Sequence, residues 1–220
     1  MFNNCNSKTN GELVFYEKIK EHINVIFDVG CRTDSIFLNF KGDVHYFDPE
    51  INFINKIKKI KNDNKSSYFN NFGLSNENNT LTYYAKCQSF IDRKKNMYQD
   101  KGIKEIQVKT GSSYLEEKNI KEIDFLKIDT EGFEYNVLQG FGETLNNVKI
   151  IQFEYGCIQE VIKDSLKTVT DYLRKYGFEN FFYLSNEKLE LITDFKEKMI
   201  MANIVCFNKK YKILIINIKY

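Results

Sequence analysis

At 220 residues, 42% of them hydrophobic and 15% aromatic, the chain can bury a sizeable core and lacks the composition of a disordered polymer. Its 32 Lys and Arg are balanced by 30 Asp and Glu, a net charge of +2, which gives no electrostatic case for nucleic acid or a membrane surface as partner. The 5 cysteines (Cys5, Cys31, Cys87, Cys157, Cys206) form no CxxC, and neither a secretory segment nor a membrane-length apolar run is seen, so free thiols and a cytoplasmic setting are expected.

Residues 1–10 are polar and expected to be loose, and Leu13, Tyr16 and Ile19 give a weak helical pattern over 11–21. Val25-Ile-Phe27 is a continuous apolar run of the kind covered on both faces of a sheet, and it leads into Asp28-Val-Gly30. A short helix is expected over 34–40. A second strand, Val44–Phe47, ends at Asp48-Pro49, and Pro49 opens a helix whose Ile51, Ile54, Ile57 and Ile60 recur every third residue. Strands are expected near 66–71, 79–85 and 104–110, the last two separated by a polar segment. A central strand over 123–129 is followed by a helix over 133–140 and a buried strand over 148–154. Val169, Tyr172, Leu173 and Tyr176 fall at helical spacing, with Gly177 as the stop. Residues 180–184, 189–193 and 200–207 are strand-like again. Alternating βα units followed by a run of strands predict one α/β, Rossmann-like domain over 1–220, with a mostly parallel sheet, helices on both faces and an antiparallel C-terminal edge.

In such a sheet the chemistry gathers where strands end at their C-terminal edge. Three segments end there. Gly30, after Asp28-Val29, permits a sharp turn and the close approach of a ligand, or simply a strand-to-helix turn. Asp48 can accept hydrogen bonds from ribose hydroxyls or cap the helix that follows. Asp129-Thr-Glu131-Gly132-Phe-Glu134 gathers three carboxylates, which repel one another unless they meet a cation, bind a positive ligand or take up a proton. Glu134 is expected at the start of its helix, where the dipole favours it, with Asp129 and Glu131 facing the site. Lys127, inside the strand, needs a carboxylate partner. Glu154 ends the next strand and is a second-rank candidate. The two histidines, His22 and His45, are read as structural, which argues against a multi-His metal site.

Together these segments resemble the FkbM family of S-adenosylmethionine-dependent methyltransferases. Asp124–Glu134, followed by Val137-Leu-Gln-Gly-Phe141, is similar to that family's signature block. Phe27-Asp-Val-Gly30 is similar to its cofactor loop, Phe47-Asp-Pro49 to its ribose-binding segment, and Gly73-Leu-Ser75 to the stretch after its third strand. The likeness spans residues 24–156. It implies the class I methyltransferase fold with a seven-stranded sheet, and S-adenosylmethionine held by Asp28, Gly30 and Asp48. The family's first loop continues Ala-Asn-x-Gly, where this chain has Cys31, Arg32, Thr33 and Asp34. Asp34 can meet the cofactor's ammonium or narrow the room for it, and Arg32 can meet its carboxylate or an anionic substrate.

The resemblance implies methyl transfer to a hydroxyl of a small molecule, sugar or glycan; from the charge balance, no nucleic acid or membrane partner is expected. Such a reaction needs alignment, exclusion of water and a base for the hydroxyl proton. Asp129 or Glu131 is the expected base, with Glu154 third. A divalent cation such as magnesium, held by Asp129 and Glu131, is the alternative way to activate the hydroxyl, and no metal site is assigned. Two other classes stay open: a non-catalytic, methyltransferase-like binding module, and a nucleotide-dependent oxidoreductase, against which the absence of GxGxxG counts. Acceptor choice falls to residues 86–104 and the C-terminal strands. Gln88, Arg93 and Tyr98 there are either sugar contacts or solvated loop residues.

Overall fold

The computed structural model describes residues 6–61, 66–91, 102–156, 165–186, 188–195 and 201–211. Among them, strands β1 (Val25–Val29), β2 (Asp43–Phe47) and β3 (Ser67–Asn70) are followed by β4 (Gly73–Leu74), β5 (Asn79–Tyr84) and β6 (Ile103–Lys109). The later strands are β7 (Ile123–Ile128), β8 (Val148–Tyr155), β9 (Phe178–Leu184), β10 (Leu189–Leu191) and β11 (Ala202–Asn208). Five α-helices intervene: α1 (Glu12–Ile19), α2 (Ile51–Lys61), α3 (Gly111–Lys118), α4 (Glu134–Phe141) and α5 (Leu166–Arg174).

The main sheet has the order β10-β9-β11-β8-β7-β1-β2-β3. Strands β3, β2, β1, β7 and β8 run parallel, and β11, β9 and β10 pair antiparallel at the other end. The expected parallel sheet with an antiparallel C-terminal edge is therefore present, but it has eight strands and not seven. The eighth is β10, which folds back on β9 as a hairpin and becomes the edge.

Alternation along the strands explains why both faces are covered. Ile26, Phe125 and Ile150 point into a core with Phe15, Tyr16 and Ile19 of α1 and Ile54 and Ile57 of α2. Their neighbours Phe27, Leu126 and Ile151 enter a second core with Tyr114 of α3, Val137, Leu138 and Phe141 of α4, and Val169 and Leu173 of α5. His45, on β2, is structural: it stacks on Tyr68 at 4.2 Å, and its Nδ1 lies 2.8 Å from the Tyr114 hydroxyl.

Three expectations change. Residues 34–40 form no helix but a turn over 36–39, because Phe37 and Phe40 are drawn into the core while side chains take the local carbonyls. Tyr46 donates to the Phe37 carbonyl and Lys61 to that of Leu38. The strands expected near 79–85 and 104–110 form a separate small sheet, β4-β6-β5. Helix α3 had no counterpart in the reading of the sequence; Thr110 caps it by accepting from the Ser113 amide. Within residues 6–10 the amides of Thr9 and Asn10 both donate to the Asn6 carbonyl, and Asn10 is buried.

Candidate active site

The first wall of the site is the loop after β1. Gly30 sits at φ 79, and a Cβ there would stand 1.9 Å from the Asp129 carbonyl oxygen, so any side chain would collide with the backbone of the acidic turn. The amides of Gly30 and Cys31 donate to the Phe47 carbonyl, and the Arg32 amide donates to Asp48 Oδ2 at 3.0 Å. Asp48 Oδ1 accepts from the Glu50 amide at 2.8 Å, so this carboxylate does cap the turn into α2. Both oxygens keep further lone pairs. Burial pushes Asp48 up to about 6, against the pull of those two amides. Asp28 is likewise raised to about 6 by burial, with Lys127 and the Ser35 hydroxyl opposing.

The second wall is the acidic turn. Glu131 adopts φ 58, and its carbonyl accepts from the Ser89 hydroxyl at 3.0 Å. Glu134 turns inward: its Oε1 accepts from the Thr130 amide, the Thr130 hydroxyl and the Gly132 amide at 2.9–3.1 Å. Burial still raises it to about 7. Asp129 and Glu131 instead line the cleft. Arg32, also left-handed at φ 48, reaches across to Glu131 at 3.5 Å.

Behind this turn the face of the sheet towards α1 becomes polar. Asp28, Lys127 and Gln152 are register neighbours on β1, β7 and β8, and Asn203 of β11 pairs with Glu154. Lys127 lies 3.1 Å from Asp129 Oδ2 and 3.7 Å from Glu12 Oε1. Burial opposes its charge, but the carboxylates of Asp129, Glu12 and Asp28 outweigh that and hold the ammonium well above its ordinary value. Glu154 goes the other way. Burial, then Asp129, Glu134 and Glu131, raise it to about 9, so it carries a proton at neutral pH.

Two cavities result. A polar one is lined by Glu12, Asp28, Asp34, Lys127 and Glu154, with Asn203 at its side. An apolar one is lined by Phe47, Pro49, Phe53, Leu74, Tyr83 and Phe90, with Asp48 at its side. Gly30, Arg32, Asp129 and Glu131 line both and form the wall between them. Of the residues singled out from the sequence, Asp28, Gly30, Arg32, Asp34, Asp129, Glu131 and Glu154 meet at the polar cavity, and Asp48 lies at the apolar one. Gln88 also lines the apolar cavity, whereas Arg93 and Tyr98 lie outside the described residues. Glu12, Tyr83 and Phe90 were missed. Glu12 reaches the site only through contacts with Lys127 and Gln152, far along the chain, and no local pattern announces them. Among the described residues no group of three or more His, Cys, Asp or Glu has the arrangement of a metal site.

The sequence profile of the methyltransferase FkbM domain matches residues 27–179, more than half of the chain. The chain belongs to the FkbM methyltransferase family. This FkbM domain therefore has S-adenosylmethionine as its cofactor, and its sheet is that of a Rossmann-like class I methyltransferase. No curated protein matches it. Solved structures similar to the chain include TrmK from M. capricolum in complex with S-adenosylhomocysteine, at 11% identity and TM-score 0.49, over 96% of this chain and 71% of that one. Magnesium protoporphyrin IX methyltransferase from Synechocystis matches at 7% identity and TM-score 0.48, over 90% and 77%. A TehB-like methyltransferase from Corynebacterium glutamicum matches at 13% identity and TM-score 0.46, over 90% and 88%. At such identities and overlaps these likenesses carry no argument about the acceptor.

Proposed function

We propose that this FkbM domain transfers a methyl group from S-adenosylmethionine to a hydroxyl oxygen of a small molecule, sugar or glycan. The observation that carries this reading is the pair of cavities sharing one wall at Gly30 and Asp129. Their chemistry fits the two ends of the cofactor. The apolar cavity, with aromatic walls and the Asp48 carboxylate at its side, suits a nucleoside whose ribose hydroxyls donate to Asp48. The polar cavity, rich in carboxylates, suits a sulfonium and an ammonium. The space a Cβ of Gly30 would fill leaves the backbone bare where the two meet.

When bound, the cofactor supplies a methyl carbon already activated for displacement. The chain's own groups do the rest. Asp129 or Glu131 takes the acceptor's hydroxyl proton as it leaves. Glu154, protonated at neutral pH, does not act as the base in that state. Arg32 holds Glu131 in place from the opposite wall. The test is Asp48→Asn. It keeps an oxygen for the Glu50 amide but weakens acceptance from a ribose, so affinity for S-adenosylhomocysteine should fall about tenfold, the loss of one charge-assisted hydrogen bond. Unchanged affinity in a folded variant would remove Asp48 from the ribose site.

A further inference from the structure

The residue nothing in the family match accounts for is Glu12. It lies before residue 27, where the match begins, on the first turn of α1. A glutamate at a helix start is expected from the dipole alone, and such a residue ordinarily faces water. This one is 7% exposed and faces the polar cavity. Its carboxylate is held from two sides, with Oε1 accepting from Gln152 Nε2 at 2.6 Å and Oε2 from Asn10 Nδ2 at 3.0 Å. The Asn10 side chain in turn accepts from the Glu12 amide at 3.0 Å. The helix start is locked in place as well: a Cβ at Gly11 would lie 2.4 Å from the Ser185 carbonyl oxygen, so α1 sits hard against the turn after β9.

So fixed, Glu12 lies 3.7 Å from the Lys127 ammonium that Asp129 meets at 3.1 Å. One cation is shared between two carboxylates. We infer that Glu12 is a positioning residue of the cofactor site: it holds Lys127 back, so that Asp129 keeps negative charge towards the cavity for the ammonium end of S-adenosylmethionine. The inference rests on the methyltransferase reading and assigns to the N-terminal helix a part in cofactor binding. Without the Glu12 charge, Lys127 is left to Asp129 and Asp28, and the polar cavity becomes less negative. The nucleoside end, in the apolar cavity on the other side of the wall, is untouched.

Two ligands separate these ends. S-adenosylhomocysteine carries the aminoacyl group, and 5′-methylthioadenosine has the same nucleoside without it. Calorimetric titration of the full chain and of Glu12→Gln with each ligand is the test, with melting curves to show that both proteins are folded. Glu12→Gln should weaken S-adenosylhomocysteine about fivefold or more, through loss of one buried carboxylate charge near the site, and leave methylthioadenosine unchanged. A variant damaged only in its fold would lose both. Equal affinity for S-adenosylhomocysteine in the two proteins, or a parallel loss of both ligands, overturns the inference. If the unaltered chain binds neither ligand, the methyltransferase reading itself fails and the inference with it. Should Glu12→Gln not fold, Glu12→Asp, whose shorter side chain withdraws the carboxylate from Lys127, makes the same comparison.

Discussion

Glu154 shows how far a buried site departs from what its residue types announce. Its place at the end of a strand was legible from the sequence, but its protonation state depends on burial and on the carboxyls of Asp129, Glu134 and Glu131, which only the packing of β7 against β8 brings near. The sign of its effect on stability follows. Folded, Glu154 titrates at about 9; unfolded, a glutamate titrates near 4.3. Between those values the folded chain binds the extra proton, so this residue lowers stability progressively as pH rises through that window. Glu154→Gln removes that dependence. The variant should melt higher than the unaltered protein at pH 8, by about 10 °C or more if about 5 kcal/mol is recovered at about 2–4 °C per kcal/mol for a chain this size, and by far less at pH 5. An equal or lower melting temperature at pH 8 would show that Glu154 is ionised in the fold. Asp129 and Glu131 were legible at this scale because one short motif carries both. Glu12 was not, because it sits on α1 and its partner Gln152 lies on β8, far along the chain.

At the scale of elements, the strands were legible wherever an apolar run had one reading, as in Val25-Ile-Phe27 or Ile150-Ile-Gln-Phe153. The misses came where a side chain from elsewhere decides. Residues 36–39 turn because Tyr46 and Lys61 take their carbonyls, and neither is a neighbour in the chain. Helix α3 is short, and the bond from Ser113 to its Thr110 cap is a local signal that its polar first turn obscures. The signature block's second half gains a physical reason: Gly140 of α4 lies where a Cβ would come within 1.9 Å of the Ser75 carbonyl oxygen. Two effects oppose each other in Gly140→Ala. Alanine favours a helix interior by about 1 kcal/mol, whereas forcing a methyl against backbone costs about 1–3 kcal/mol. The clash is with main chain that cannot swing aside, so the melting temperature should fall by several degrees. A rise would mean that the stretch after β4 gives way freely.

For the whole molecule, alternation of strands and helices correctly pointed to a parallel sheet, and the composition to a sizeable core. The count of strands was out of reach, since a three-residue edge strand such as β10 is defined by its pairing with β9 and not by its own sequence. The site draws on the entire architecture. Its first wall follows β1, its second follows β7, the small sheet supplies Tyr83, and α1 and β11 close the back with Glu12 and Asn203. On this reading, one ligand spans both cavities across the wall at Gly30 and Asp129. The most direct measurement is calorimetric titration of the unaltered chain with S-adenosylhomocysteine, followed by melting with and without it. One-to-one binding in the micromolar range and a melting temperature that rises with ligand concentration are expected. A folded sample that gives neither heat of binding nor a shift in melting would contradict this reading.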